Sequence, residues 1–400
     1  MPVLQPLTVQ RTAEIAQAMA RIGQAEDVAF SPDGRRVAIA GYRRGTVVVL
    51  DIEVVAGSPP TITVTGCTTI RCLSFNEVHG VALLDDVLMV ANRKGAVEAV
   101  PLPPPGDGVA EVLSTPLFTL RARGSAKIAR PGSVRATRLA TGLFEVVVCH
   151  AYSRTVTRHL VDTVEGCSLR DEVVLTEGQL AIPDSIALSS DDRWMAISNH
   201  DTHTVVVYDR SLPPATDAEP AATLRGMKHP HGLFFTTDDA ALVVVDSWSP
   251  CATVFERGTT WSGDREPDLT VQLMSDEMFA SRSQNLGDGG NKGADIHPSG
   301  LVIGITSEQR PIEFFDTQQV LGRLPPASAT GAAPAVRRAI LDEIGRSAQV
   351  AARLRNRERR IEVLQAQARA QAAKIRVLER WVTGKRRDGS AGPTADEPPT

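Results

Sequence analysis

Eight histidines occur in the 400 residues, and six of them lie in short polar segments between apolar runs: His79, His150, His200, His203, His229 and His231. Asn92, Arg93, Arg154, Asp184, Asn199, Asp201 and Asp246 occupy segments of the same kind. Imidazole and carboxylate groups that converge can ligate a divalent cation or act as general acid and base. His229-x-His231 and His200-x-x-His203 have spacings compatible with metal ligation but not specific for it. Cys67 and Cys72 have no second cysteine pair to complete a zinc site, and the five scattered cysteines read as reduced, packed thiols. No G-x-S-x-G elbow or H-E-x-x-H helix is present. The glycine-rich GDGGNKG at 287–293 lacks the hydroxyl residue that must follow the lysine of a phosphate loop.

What must position these groups is a set of short apolar runs. Within Ile182–Arg210, three runs of four to six residues are joined by tight polar turns, too short for helices and right for an antiparallel meander. The block recurs. The third runs begin at Thr46, Ala96, Thr155, Thr204, Cys251 and Pro311, at intervals of 50, 59, 49, 47 and 60 residues. The first runs align at Asp27-Val28, Gly80-Val81, Ser133-Val134, Ser185-Ile186, Gly232 and Gly293. The wrap from the last copy to the first completes six units, which predicts an all-β, six-bladed β-propeller over residues 1–319. Outer strands are expected at Thr61–Thr65, Glu172–Thr176, Ala221–Arg225 and Leu269–Leu273. The last blade is expected to take its outer strand from within Leu7–Ala20, although AEIAQAMA there has helical propensity.

SPDGRRVAIAGYRRGTVVVLD, SSDDRWMAISNHDTHTVVVYD and HPHGLFFTTDDAALVVVD resemble the YVTN-type branch of β-propeller repeats, relatives of WD40 propellers. The resemblance spans roughly residues 1–319 and implies a fold rather than a task, because propellers host both binding and catalysis. In such a ring the loops before the first strand and between the second and third emerge on one face. That face would gather His79, Arg93, His150, Arg154, Asp184, Asn199, His200, His229, His231 and Asp246 as a ligand-binding surface.

Beyond the ring, residues 320–335 read as a linker, 336–384 as a coiled-coil helix and 385–400 as a disordered tail. Leu354, Ile361, Leu364, Ile375, Leu378 and Val382 fall on its a and d positions and predict a parallel homodimer. Residues 332–387 carry 15 basic and 5 acidic side chains, whereas residues 1–331 carry a net charge of −11. Nucleic acid or an anionic surface is a weaker partner, since aromatic residues are 4% of the chain and the helix has only Trp381 for stacking. No signal-peptide core and no run of about 18 apolar residues occurs, so a cytoplasmic protein without a membrane span is expected. Polar loop residues are what any propeller presents on that face. The expectation is therefore a non-enzymatic scaffold for protein or ligand partners, with no cofactor or metal. The alternative is a metal-dependent, lactonase-like propeller hydrolase using the histidines and acids of that face.

Overall fold

The computed structural model describes residues 1–323 except 85, 122–125, 140–141, 163–167 and 282–288. Six antiparallel sheets follow one another along the chain as the blades of a propeller. Their inner strands are Ala25–Phe30, Val78–Leu83, Pro131–Arg138, Pro183–Leu188, Pro230–Phe235 and Asn291–Ile296. Each packs beside the inner strands of both neighbouring blades, and the sixth meets the first, so the ring is closed.

Continuous apolar runs form these strands because both faces of every blade are covered. In the second strand of blade 1 (Arg36–Gly41), Val37 and Ile39 pack toward blade 6 with Val302 and Phe314. Ala38 and Ala40 point the other way, against Val81, Leu88 and Val90 of blade 2. This is the two-residue strand period with an apolar partner on each side. On the face where inner strands end, a hydroxyl fixes the turn. Ser31, Ser189 and Thr236 each donate to an Asp two residues on, at 2.6 Å, and accept the backbone N–H that opens the second strand.

Outer strands occur at Thr61–Cys72, Ser168–Thr176, Ala222–Leu224 and Leu269–Gln272, as the sequence suggests, and also at Phe118–Leu120 in blade 2. Gly108–Ser114 adds a further strand, parallel to Thr61–Cys72, at the rim of blade 1. The expected closing strand is not formed. Blade 6 has three strands, and the N-terminal segment is spread over three blades instead. Val3 bridges Gln272 of blade 5, Leu7 N–H donates to Phe314 O of blade 6, and Val9–Gln10 pairs in parallel with Ile62–Thr63 of blade 1. Residues Ala13–Ala20 are helical, capped by the Thr12 side chain, so local propensity prevailed there. No helix among the described residues is long and apolar enough to cross a membrane. The helix expected over 336–384, its seam residues Leu354, Ile361, Leu364, Ile375, Leu378 and Val382, and the tail lie outside the described residues.

Candidate functional site: a six-position ring at the channel mouth

Every inner strand begins with a register shift against the second strand, between Ala25/Val28, Val78/Gly80, Pro131/Ser133, Pro183/Ile186, Pro230/Leu233 and Asn291/Ala294. In four blades the residue just before the strand is left-handed: Glu77, Arg130, Ile182 and Gly290, with φ of 53°, 50°, 51° and 69°. A bulge of this kind re-aims the side chain it carries. Here the second residue of each inner strand is turned to the channel: Glu26, His79, Gly132, Asp184, His231 and Lys292.

These groups meet across the axis. Glu26 Oε2 lies 3.4 Å from Lys292 Nζ, 3.4 Å from His231 Nε2 and 3.8 Å from His79 Nε2. Asp184 Oδ2 lies 3.1 Å from His231 Nε2 and 3.7 Å from His200 Nε2, the latter from the loop after the second strand of blade 4. Glycine 132 leaves its sector without a side chain, and Arg93 fills it from blade 2. The Arg93 Nη2 group donates to Asp184 Oδ1 and to His79 Nε2, both at 2.7 Å. The His79 Nδ1–H in turn donates to Gly132 O, 2.7 Å away, which fixes the tautomer. A β-carbon on Gly132 would stand 2.9 Å from Asp184 O and 3.3 Å from Arg93 Nη1, so only glycine leaves room for the guanidinium.

Four buried polar atoms in this cluster have no hydrogen-bond partner: Glu26 Oε2, Asp184 Oδ2, His200 Nε2 and Arg93 Nη1. Such atoms are rare in folded proteins. Burial, aided by Arg93, pushes His79 down to about 4; burial holds His200 well below its usual range and takes His229 to about 4. The carboxylates go the other way in protonation. Burial disfavours the Glu26 anion, but Lys292 and the adjoining imidazoles override it. Burial likewise opposes ionisation of Asp184, and His231, His79, His200 and Arg93 around it hold it well below the ordinary range. Imidazoles beside ionised carboxylates make a donor set that suits a cation.

Glu26, His79, Arg93, His200 and His231 of the cluster line a cavity of about 650 Å³. One wall is a stack of rings leading outward: His200 on His229 at 3.9 Å, then His229 on Trp248 at 4.7 Å and nearly parallel. His229 is held by Ser247 Oγ at 2.7 Å from Nδ1.

Of the residues singled out from sequence, His79, Arg93, Asp184, His200, His229 and His231 are brought together. Asp201 and His203 line the same cavity, and the rest have different work. His150, Asn199 and Asp246 end the second strands of their blades and accept backbone N–H groups of the incoming loops, from Ala129, Ala181 and Lys228 respectively. Asn92 does the same for Asn76. Their polar side chains bracket loops rather than face the cavity. Arg154 is an exposed turn residue with φ of 55°. Glu26, Lys292 and Trp248 were not singled out, although the aligned first runs held the signal: one residue before each aligned pair stands a ring position.

No family model matches the chain, and no curated protein matches it. Among solved structures, a functionally unknown protein from Desulfotomaculum acetoxidans is similar at 13% identity, over 73% of this chain and 82% of that one, with a TM-score of 0.47.

Proposed function

We propose that the channel mouth binds one divalent cation and uses it for hydrolysis of a small molecule held in the cavity above. This is the alternative reading of the sequence, preferred here over the scaffold. The observation that carries it is the convergence of the orphaned Asp184 Oδ2 and His200 Nε2 on His231 Nε2, with orphaned Glu26 Oε2 alongside. Bonds of about 2.0–2.2 Å to a tetrahedral ion put neighbouring donors roughly 3.3–3.6 Å apart. Asp184 Oδ2 stands 3.1 Å from His231 Nε2 and 3.7 Å from His200 Nε2, on either side of that edge, and all three donor atoms lie within 4.8 Å of one another.

Asp184, His200 and His231 would be the ligands. His79 is excluded because Arg93 already donates to its Nε2. Arg93 also engages the far oxygen of Asp184, orienting the ligand and leaving Oδ2 free, the usual service of a group behind a metal ligand. A cation there supplies Lewis-acid polarisation of a substrate carbonyl or phosphoryl oxygen. Glu26, kept ionised by Lys292 and 3.4 Å from His231, would accept a hydrogen bond from the attacking water and so orient it. The stacked His229 and Trp248 rings offer one apolar wall to the substrate.

The test is metal content and affinity of the purified full chain. One equivalent of Zn²⁺, Mn²⁺ or Co²⁺ is expected by elemental analysis and titration, lost in His231→Ala and His200→Ala but kept in Asn199→Ala. A panel of aryl esters and lactones then reads hydrolysis, with Glu26→Gln expected to retain metal and lose turnover. A parent protein that takes up no stoichiometric metal at micromolar concentrations would refute the reading.

A further inference from the structure

The strand Gly108–Ser114 lies at the rim of blade 1, paired on one side with the outer strand through Gly66↔Gly108 to Cys72↔Ser114. Among the described residues no strand pairs its other side. Open outer edges are common in propellers, but most in this chain are managed. The blade 3 edge, Ser168–Thr176, carries Arg170, Asp171 and Glu172, with Arg158–Asp171 and Arg170–Asp162 ion pairs. The blade 4 edge is covered by Gly263–Arg265 and the blade 5 edge by Val3. Gly108–Ser114, reading GVAEVLS, has a single charge, no proline and no bulge. Val109 is 40% exposed and Leu113 69%, and Leu73 and Leu117 beside the same strand end are 94% and 51% exposed. A long, open, apolar edge without charge protection is a template for pairing with another chain.

We propose that this edge pairs with the same edge of a second copy, antiparallel, about a twofold axis through Glu111. The occupant follows from the register. With Glu111 on the axis, Val109 lies opposite Leu113 and Ala110 opposite Val112, so each exposed apolar residue meets one of the other copy. Shifting the axis to residue 110 sets Val109 against Glu111; shifting it to 112 sets Val109 against Thr115, past the end of the strand. Two glutamates facing each other would repel, but each Glu111 already holds an ion pair with Arg71 of the adjacent strand. The order across the axis is then Arg71, Glu111, Glu111, Arg71, with each carboxylate keeping its own guanidinium. A self-complementary patch of this kind is what a twofold interface requires. A single-edge contact is small for a specific interface, so the pairing is expected to depend on concentration.

The register gives a sharp test. Opposed residues on an antiparallel axis have Cα atoms roughly 4.5–5.5 Å apart, within disulfide range. Cys67, Cys72, Cys149 and Cys251 are buried, so the background is the full chain carrying Cys167→Ser. In that background, Glu111→Cys oxidised with diamide at tens of micromolar should run as a linked dimer on non-reducing gels. Ala110→Cys, one residue off the axis, should link about tenfold less, because its own copy lies outside disulfide geometry. Adding Leu113→Lys to Glu111→Cys should suppress the link to the same extent. Assembly through residues 336–384 would raise both cysteine variants alike, so the ratio between them is the readout. Equal linking of the two variants, or none from Glu111→Cys, overturns the proposal.

Discussion

Replacing Lys292 with methionine separates the two roles of the ring, stability and cation binding. The lysine side chain is 1% exposed and sits 3.4 Å from Glu26 Oε2, itself 3% exposed. Removing one partner of a buried pair leaves the other charge uncompensated, at a cost of about 3–5 kcal/mol. Burial then dominates at Glu26 and its pKa rises instead of lying below the usual carboxylate range. A carboxylate with a depressed folded pKa contributes stability above its unfolded value, so Lys292→Met forfeits that contribution at neutral pH. A divalent cation would replace the missing charge. At a free concentration about 100 times its Kd, metal returns about 2.7 kcal/mol by mass action. The assay is urea denaturation with EDTA and with Zn²⁺. The variant is expected to lose several kcal/mol in EDTA, to recover most of it with zinc, and to bind zinc more tightly than the parent because one like charge is gone. A variant as stable as the parent in EDTA would refute the pairing argument. One that is destabilised but indifferent to metal would refute the site.

Leu4, 5% exposed in the cluster with Phe234 and Phe315, anchors the N-terminal segment, and Leu4→Ala should cost about 2–4 kcal/mol in urea denaturation. Gly293→Ala should be more damaging than Gly106→Ala in soluble yield and Tm, because a β-carbon at 293 would lie 2.5 Å from Asp27 Cα while nothing lies within 4 Å at 106. His150, buried and pushed down to about 3 by burial and then by His159, binds its proton more readily in the unfolded chain. Stability should therefore be full above about pH 6.5 and fall as pH drops toward 3, a slope that His150→Gln should flatten in pH-dependent urea titrations.

The six blades were legible because their third runs repeat as apolar stretches closed by polar turns, and period and strand length are properties of the sequence itself. The site was legible in half. His79, Asp184 and His231 stood out as polar residues near loops, yet Glu26 and Lys292 occupy the same register and read as ordinary strand positions. What turns them to the axis is the bulge at the start of each inner strand, and that backbone detail has no unambiguous residue signature. The opposite error came from Asn199, Asp246 and His150. Their residue types fit a binding face, but each side chain is spent on a backbone N–H of the loop it brackets. Gly108–Ser114 was missed because a proline-rich stretch precedes it and its strand partner lies in the preceding blade.

The N-terminal segment also sets an order of events during synthesis. Val3, Leu4 and Leu7 are made well before their partners Gln272 and Phe314, which come near the end of the ring. Until blade 6 is complete, those leucines have no place to be buried, and the seam between the last blade and the first stays open. A segment made before the blades is thus the last to find its seat. A nascent chain arrested before residue 314 would carry an apolar tail in solution, which makes the unfinished ring, more than the finished one, the form exposed to aggregation and to chaperones.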